Sequence, residues 1–166
     1  MTGKTMEIRK IMWQFPLEEL IGELNMRSSR HLPSLRKDGD NGEDWTDLYV
    51  LSDGEKEWVI KSLQEVFPQV YGALSARLSK TDLITVDENG ISMGIIFPVE
   101  CPDSLTELIR RQIKEVSVTY VLSRWYLIHD ANLGTYYAAR CDGAMNELRS
   151  LLSRVTKTRR PTNYQF

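Results

Sequence analysis

The stretch from Ser104 to Val155 limits the possible folds more than any other part of this chain. It carries two consecutive helical patterns separated by a polar break at His129–Asp130. In the second pattern, Tyr137, Cys141, Ala144, Leu148, Leu151 and Val155 alternate steps of four and three, which lines them along one narrow face like a coiled-coil seam. In the first, Leu105, Leu108, Ile109, Ile113, Val116 and Tyr120 form one stripe, and Val118 to Ile128 is apolar nearly all round. A helix apolar on every side is buried on every side. The end of this helix is therefore expected at the centre of the core or under a neighbouring subunit. Ser104-Leu-Thr-Glu107 is a capping-box pattern that opens the first helix, and Asp130 suits the N-cap of the second. Two helices joined by so short a break should lie antiparallel. Gly143, inside the second helix, is read as a point of close helix approach.

The remaining residues decorate this pair. Thr5 to Met12 reads as a weak strand. Leu17, Leu20, Ile21 and Leu24 fall at helical spacing after Pro16, predicting a short helix over about 17–25. From Asn25 to about Asp47 the pattern is lost, and Pro33, Gly39 and Gly42 with a run of charges read as a long loop whose end Trp45 and Tyr49 anchor. Ser52-Asp-Gly-Glu55 repeats the capping-box pattern before a helix with Val59, Leu63, Val66, Val70 and Leu74 on one face; Pro68 kinks it without ending it. Residues 83–97 change to a strand period around Asn89-Gly90, which can supply the positive φ angles of a hairpin turn. A hairpin alone is marginal, so a third strand at 5–12 would complete a small sheet. The expected fold is mainly α: an antiparallel bundle of three long helices with a small hairpin or sheet elaboration. Residues 1–47 form an N-terminal strand, short helix and loop, 48–155 the helical domain, and 156–166 a basic tail.

Composition narrows the function. A chain of 166 residues has the length of one domain with a real core, and its net charge of −2 gives no overall pull toward nucleic acid or membrane. Charge is segregated, however. Asp38 to Glu57 holds eight acidic residues and one basic, while Arg149, Arg154, Lys157, Arg159 and Arg160 follow Glu147 with no acid among them. Such polarity draws copies of a molecule, or a charged partner, together. Two cysteines, Cys101 and Cys141, make no disulfide framework, and no apolar leader or spanning run is present. A soluble protein of a reducing cytoplasm is expected.

No catalytic residue, metal site or cofactor is expected. His31, Cys101 and Cys141 lack metal-ligand spacing. Gly-rich phosphate loops of the Walker or Rossmann type are absent. His129-Asp130 lacks a nucleophile in a recognisable setting. Partner-binding candidates stand out instead. Arg124 sits within Val121-Leu-Ser-Arg-Trp-Tyr-Leu-Ile128, where its stem can lie on apolar surface and its head reach a carboxylate; the functional alternative is an ion pair facing a subunit or ligand. Arg149 and Arg154 suit the negative end of a helix dipole. Arg159 and Arg160 precede Pro161 and escape that explanation. With Lys157, and with Tyr164 and Phe166 as apolar anchors, they form a basic arm that would dock on a partner. A nucleic-acid-binding regulator using this tail is the alternative class.

The order of these elements resembles the head–tail connector (adaptor) proteins of tailed bacteriophages and prophages. The likeness rests on Arg124-Trp-Tyr-Leu-Ile-His-Asp130, then Tyr136-Tyr-Ala-Ala-Arg-Cys-Asp-Gly-Ala144, then Asn146-Glu-Leu-Arg-Ser-Leu-Leu152 followed by basic residues and proline. It covers roughly residues 48–161; residues 1–47 lie outside the pattern, and the hairpin at 83–97 elaborates it. The resemblance implies wedge-like helical subunits that close into a ring between portal and tail, with DNA passing through the hole. It also implies assembly in the bacterial cytoplasm, incorporation into the virion, and no enzymatic activity.

Overall fold

The computed structural model describes residues 7–31, 51, 53–76, 78 and 81–157. In chain order the elements are strand β1 (Ile8–Pro16), helix α1 (Leu17–Ser29), a 3-10 turn (Asp53–Glu55), helix α2 (Lys56–Ser75), strands β2 (Thr81–Asp87) and β3 (Gly90–Pro98), and the long helices α3 (Asp103–His129) and α4 (Ala131–Lys157).

Helices α3 and α4 form the expected antiparallel pair. Gln112 Nε2 donates to the Ala144 carbonyl at 3.0 Å, and the Cys141 thiol lies 3.7 Å from the Val116 carbonyl, so the chain directions oppose. All six seam residues of α4 are buried, joined by Met145 and Leu152. The close approach is not at Gly143, where an added Cβ would meet nothing within 4 Å. It is at Gly134, one turn into α4, where a Cβ would stand 2.8 Å from the Leu127 nitrogen and 3.0 Å from its Cα. The hairpin corner can close only because position 134 has no side chain.

The expected bundle of three long helices is corrected: four helices surround a three-stranded antiparallel sheet. The segment read as a short helix over 17–25 continues to Ser29. Its apolar stripe does end at Leu24, but polar contacts hold the last turn. Ser28 Oγ bonds the Leu24 carbonyl at 2.8 Å, and Arg27 reaches Glu115 of α3. Leu17, Leu20, Ile21 and Leu24 enter the main core, making α1 a full member of the bundle. Strand β1 likewise runs beyond Met12 to Pro16 and pairs along its whole length with β3, in the order β1-β3-β2. Trp13 and Phe15 are the reason, since both are buried on the inner face; the Trp13 ring lies 5.8 Å from that of Phe97.

Three local expectations also change. Helix α3 begins at Asp103 with Pro102 as N-cap and no side-chain cap, so Ser104 is already inside it. The β2–β3 turn takes positive φ at Gly90 alone (113°), with the Asp87 carboxylate accepting the Asn89 amide at 2.8 Å. The far end of α3 is not at the centre of the core: Leu127 and Ile128 are 53% and 71% exposed. Helix α2, by contrast, runs through Pro68 as one helix, with Val59, Leu63, Val66, Val70 and Leu74 all buried. Ser52, Trp45, Tyr49 and nearly all of the 25–47 loop beyond His31 lie outside the described residues.

The two α4 glycines should respond to alanine in opposite directions. Gly143→Ala is expected to raise stability by about 0.5–1 kcal/mol, the intrinsic helix preference, because the new methyl meets open space. Gly134→Ala is expected to lower it by about 1–3 kcal/mol through overpacking against the Leu127 backbone. Urea unfolding of the two variants checks both.

Candidate functional site

Sequence analysis missed the densest polar feature of the molecule, an ion network that ties α1, α3 and α4 together. Arg27 of α1 sits at its middle. Its guanidinium donates to both Glu115 carboxylate oxygens, at 3.0 and 2.7 Å, and to Glu23 at 2.5 Å. Glu115 also takes Arg140 of α4 at 3.0 Å. Lys114 bridges Glu19 at 2.6 Å and Glu23 at 2.9 Å. Three acids and three bases thus alternate across three helices. Burial pushes Glu23 up, but the hydrogen bonds and charges of Lys114 and Arg27 outweigh it and hold the carboxyl below its ordinary value. Burial likewise works against the charge on Arg27, and its two carboxylates raise it on balance. The available signal was the spacing: Glu19, Glu23 and Arg27 share one face of α1 at steps of four.

Beside the network lies an open cleft of about 460 Å³, lined by Leu108, Arg111, Gln112, Glu147 and Leu151 with the network residues. Its charges are mixed in sign and largely satisfied by one another, so it presents no single-sign site for an ionic ligand.

A second cluster closes the α1 end of the bundle. His31 Nε2 lies 2.8 Å from the Tyr137 hydroxyl, and its ring stands edge-on to both Tyr126 and Tyr137, which stack at 5.7 Å. The Tyr126 hydroxyl donates to the Ser28 carbonyl at 3.2 Å, and Ser28 Oγ receives the Leu51 amide at 3.2 Å. Burial holds His31 below the ordinary imidazole value against the opposing charge of Asp130, and raises Tyr126 and Tyr137.

The candidates named from the sequence are spread out. Arg124 is half exposed, and its Nε lies 3.5 Å from Glu65 of α2, which also accepts the Tyr120 hydroxyl at 3.1 Å. Its head reaches a carboxylate of its own chain. Arg149 and Arg154 are exposed on α4, and Arg149 donates to Asn146 at 3.1 Å. In the antiparallel pair they stand roughly 25 Å along the axis from Arg124, at 1.5 Å per residue. Lys157 ends α4, but its side chain lies outside the described residues, as do Arg159, Arg160, Tyr164 and Phe166 and most of the acidic 38–57 segment. Asp130 caps α4: its Oδ1 accepts the Asn132 and Leu133 amides at 2.9 and 3.0 Å. The His129 ring lies 4.5 Å from that of Trp125, and burial lowers its pKa. Cys101 and Cys141 are buried free thiols, and burial pushes both pKa values up, away from a reactive thiolate. Among the described residues no group of three His, Cys, Asp or Glu side chains converges as a metal site, and no helix is long and apolar enough to cross a membrane.

The exposed apolar residues do gather. Leu127 and Ile128 close α3, and Tyr136, 50% exposed, stands two turns into α4. They mark the tip of the long hairpin, while Arg149 and Arg154 mark the other pole. Comparison with known proteins yields no match to a family model, to a curated protein or to a solved structure.

Arg27→Leu should destabilise the fold by about 2–3 kcal/mol, because it leaves Glu23 and Glu115 partly buried without their shared cation. Adding Glu115→Gln should recover part of that loss, and a chemical-denaturation double-mutant cycle measures the coupling. Stability should also fall on acidification from about pH 8 to about pH 5.5. A base held below its unfolded value contributes stability that is full above roughly pH 6.5 and drains away as pH drops through it. In His31→Gln the pH dependence of the urea midpoint should flatten over that window.

Proposed function

We propose that this chain is a structural adaptor of the phage head–tail connector type, a subunit that associates into a ring and docks between portal and tail, with DNA passing through the hole. The supporting observation is the bipolar hairpin. Helices α3 and α4 are braced against α1 by a network that leaves little freedom between them, and they carry Leu127, Ile128 and Tyr136 bare at one pole and Arg149 and Arg154 at the other. Unlike surfaces at two ends favour heterologous contacts, the kind that generate rings. Exposed apolar side chains grouped at a rigid tip suit an interface better than solvent. The basic pole leads in sequence to Lys157, Arg159 and Arg160, whose natural counterpart is the acidic 38–57 segment of a neighbour or an acidic face of a partner. On this reading the protein works in the bacterial cytoplasm during assembly and then in the virion, through surfaces and without a reaction.

Mass photometry and negative-stain imaging of the full chain test the proposal. Closed rings are expected, and Ile128→Asp should shift the population to small species without lowering the unfolding midpoint. A wild-type chain that forms no closed oligomer up to its solubility limit overturns the reading.

A further inference from the structure

The edge of the sheet shows a contact that the hairpin does not explain. Strand β1 is paired on one side only, with β3. The Val99 amide donates to the Glu7 carbonyl at 3.1 Å, and the Leu17 amide to the Asn89 carbonyl at 3.1 Å. Both bonds keep the register that pairs Ile8 with Pro98 and Pro16 with Gly90. In an antiparallel ladder hydrogen-bonded pairs alternate with unbonded ones. Odd-numbered residues therefore turn their backbone groups to β3, and Ile8, Lys10, Met12 and Gln14 turn theirs to the open edge. Pro16 falls in the outward set, the place where a missing N–H costs no ladder bond. Among the described residues, the one hydrogen bond reaching the outward groups of Ile8, Met12 and Gln14 is a long 3.5 Å contact from Arg110 to the Gln14 carbonyl. The side chains of Ile8 and Met12 are 55% and 58% exposed. The opposite edge differs: α2 packs along β2, and Gln64 Nε2 caps the Val86 carbonyl at 3.0 Å.

We infer that β1 is the docking edge for β1 of a second copy, the two strands pairing antiparallel about a two-fold axis through Met12 to make one continuous six-stranded sheet. An open row of alternating donors and acceptors is matched by an extended strand, and the residues of β1 choose the register. Outward residues have to face outward residues. An axis at Lys10 would set Lys10 against Lys10 of the copy, and like charges directly opposite are destabilising. The axis at Met12 sets Met12 on Met12, Lys10 on Gln14 and Ile8 on Pro16, with no like charges opposed. It uses the strand from end to end and brings together the two bare apolar side chains. Roughly eight inter-strand hydrogen bonds can form in this register. Arg110 swings off the Gln14 carbonyl as it does. Lys10 guards the edge against other registers while permitting this one.

This contact is isologous and independent of ring formation, so its test separates the two. Sedimentation velocity of the full chain across a wide concentration range should show a monomer–dimer equilibrium or, where rings form, pairing of rings. Met12→Pro removes one outward N–H and no β1–β3 bond, and it should raise the dissociation constant at least about tenfold, the loss of two symmetry-related bonds. Gln14→Lys should weaken the dimer several-fold and Gln14→Glu tighten it, because each faces Lys10 of the copy. Circular dichroism checks that each variant is folded, and Gln14→Lys serves if Met12→Pro is not. Hydrogen exchange gives the signature: the outward amides of Met12 and Gln14 should lose protection on dilution while those of Ile11, Trp13 and Phe15 keep it. Outward amides that exchange at one rate at every concentration, or an association indifferent to both Met12→Pro and Gln14→Lys, overturn the inference whatever Ile128→Asp does to rings.

Discussion

Helix α3 has to be covered on every side, and the placement of each other element follows from that. Val116, Ser117, Val118 and Thr119 are four consecutive buried residues, a full turn with no solvent face. One neighbour cannot cover such a turn. Helix α4 covers one side along its seam, α1 and α2 cover others, and the inner face of the sheet closes the core that these elements share. The buried hydroxyls within the helix make no demand on those neighbours. Ser117, Thr119 and Ser123 return their hydrogen bonds to the carbonyls of Ile113, Glu115 and Tyr120. The helix therefore behaves as an apolar rod despite its polar letters.

Against this nonspecific attraction, polar contacts supply the geometry. Hydrophobic burial stabilises any arrangement that hides the same area. The bidentate Arg27–Glu115 pair fixes how far α1 slides along α3, and Arg140 fixes α4 against the same carboxylate. Arg9 does the same for the sheet: it donates to Asp103 at 2.5 Å and to the Cys101 carbonyl at 2.7 Å, pinning β1 to the start of α3. These pairs are half buried, so desolvation and attraction largely offset, and their larger effect is on register. Gly134 sets the corner angle, and Gly90 the turn that brings the end of β1 against β3: a Cβ there would fall 2.1 Å from the Phe15 carbonyl.

The surfaces left over are those a scaffold presents. The tip of the hairpin is apolar, its far pole is basic, and one sheet edge is unpaired. The titratable groups with displaced pKa values are displaced by burial within structural contacts: His31 beside two tyrosines, Glu23 between two cations, and Cys141 on the seam. Arg124, the most conspicuous charge in the sequence, has its carboxylate in its own chain.

Period and punctuation were legible in the residues. The α4 seam, the α2 stripe through Pro68, the Asp130 cap and the strand change around residues 83–97 all rest on neighbours a few positions apart, and local spacing carries them. What local spacing cannot carry is which distant group answers a polar side chain. The last turn of α1 looked like loop because its support comes from Glu115, 88 residues away. The end of β1 looked like a boundary because its reason, the packing of Trp13 and Phe15, lies across the sheet. Gly143 and Gly134 are indistinguishable as letters in one helix, and only the position of Leu127 assigns the close approach to the second. The exposure of Ile128 was hidden in the same way: an apolar run states what would gain by burial, and whether there is chain enough to cover it is decided in three dimensions.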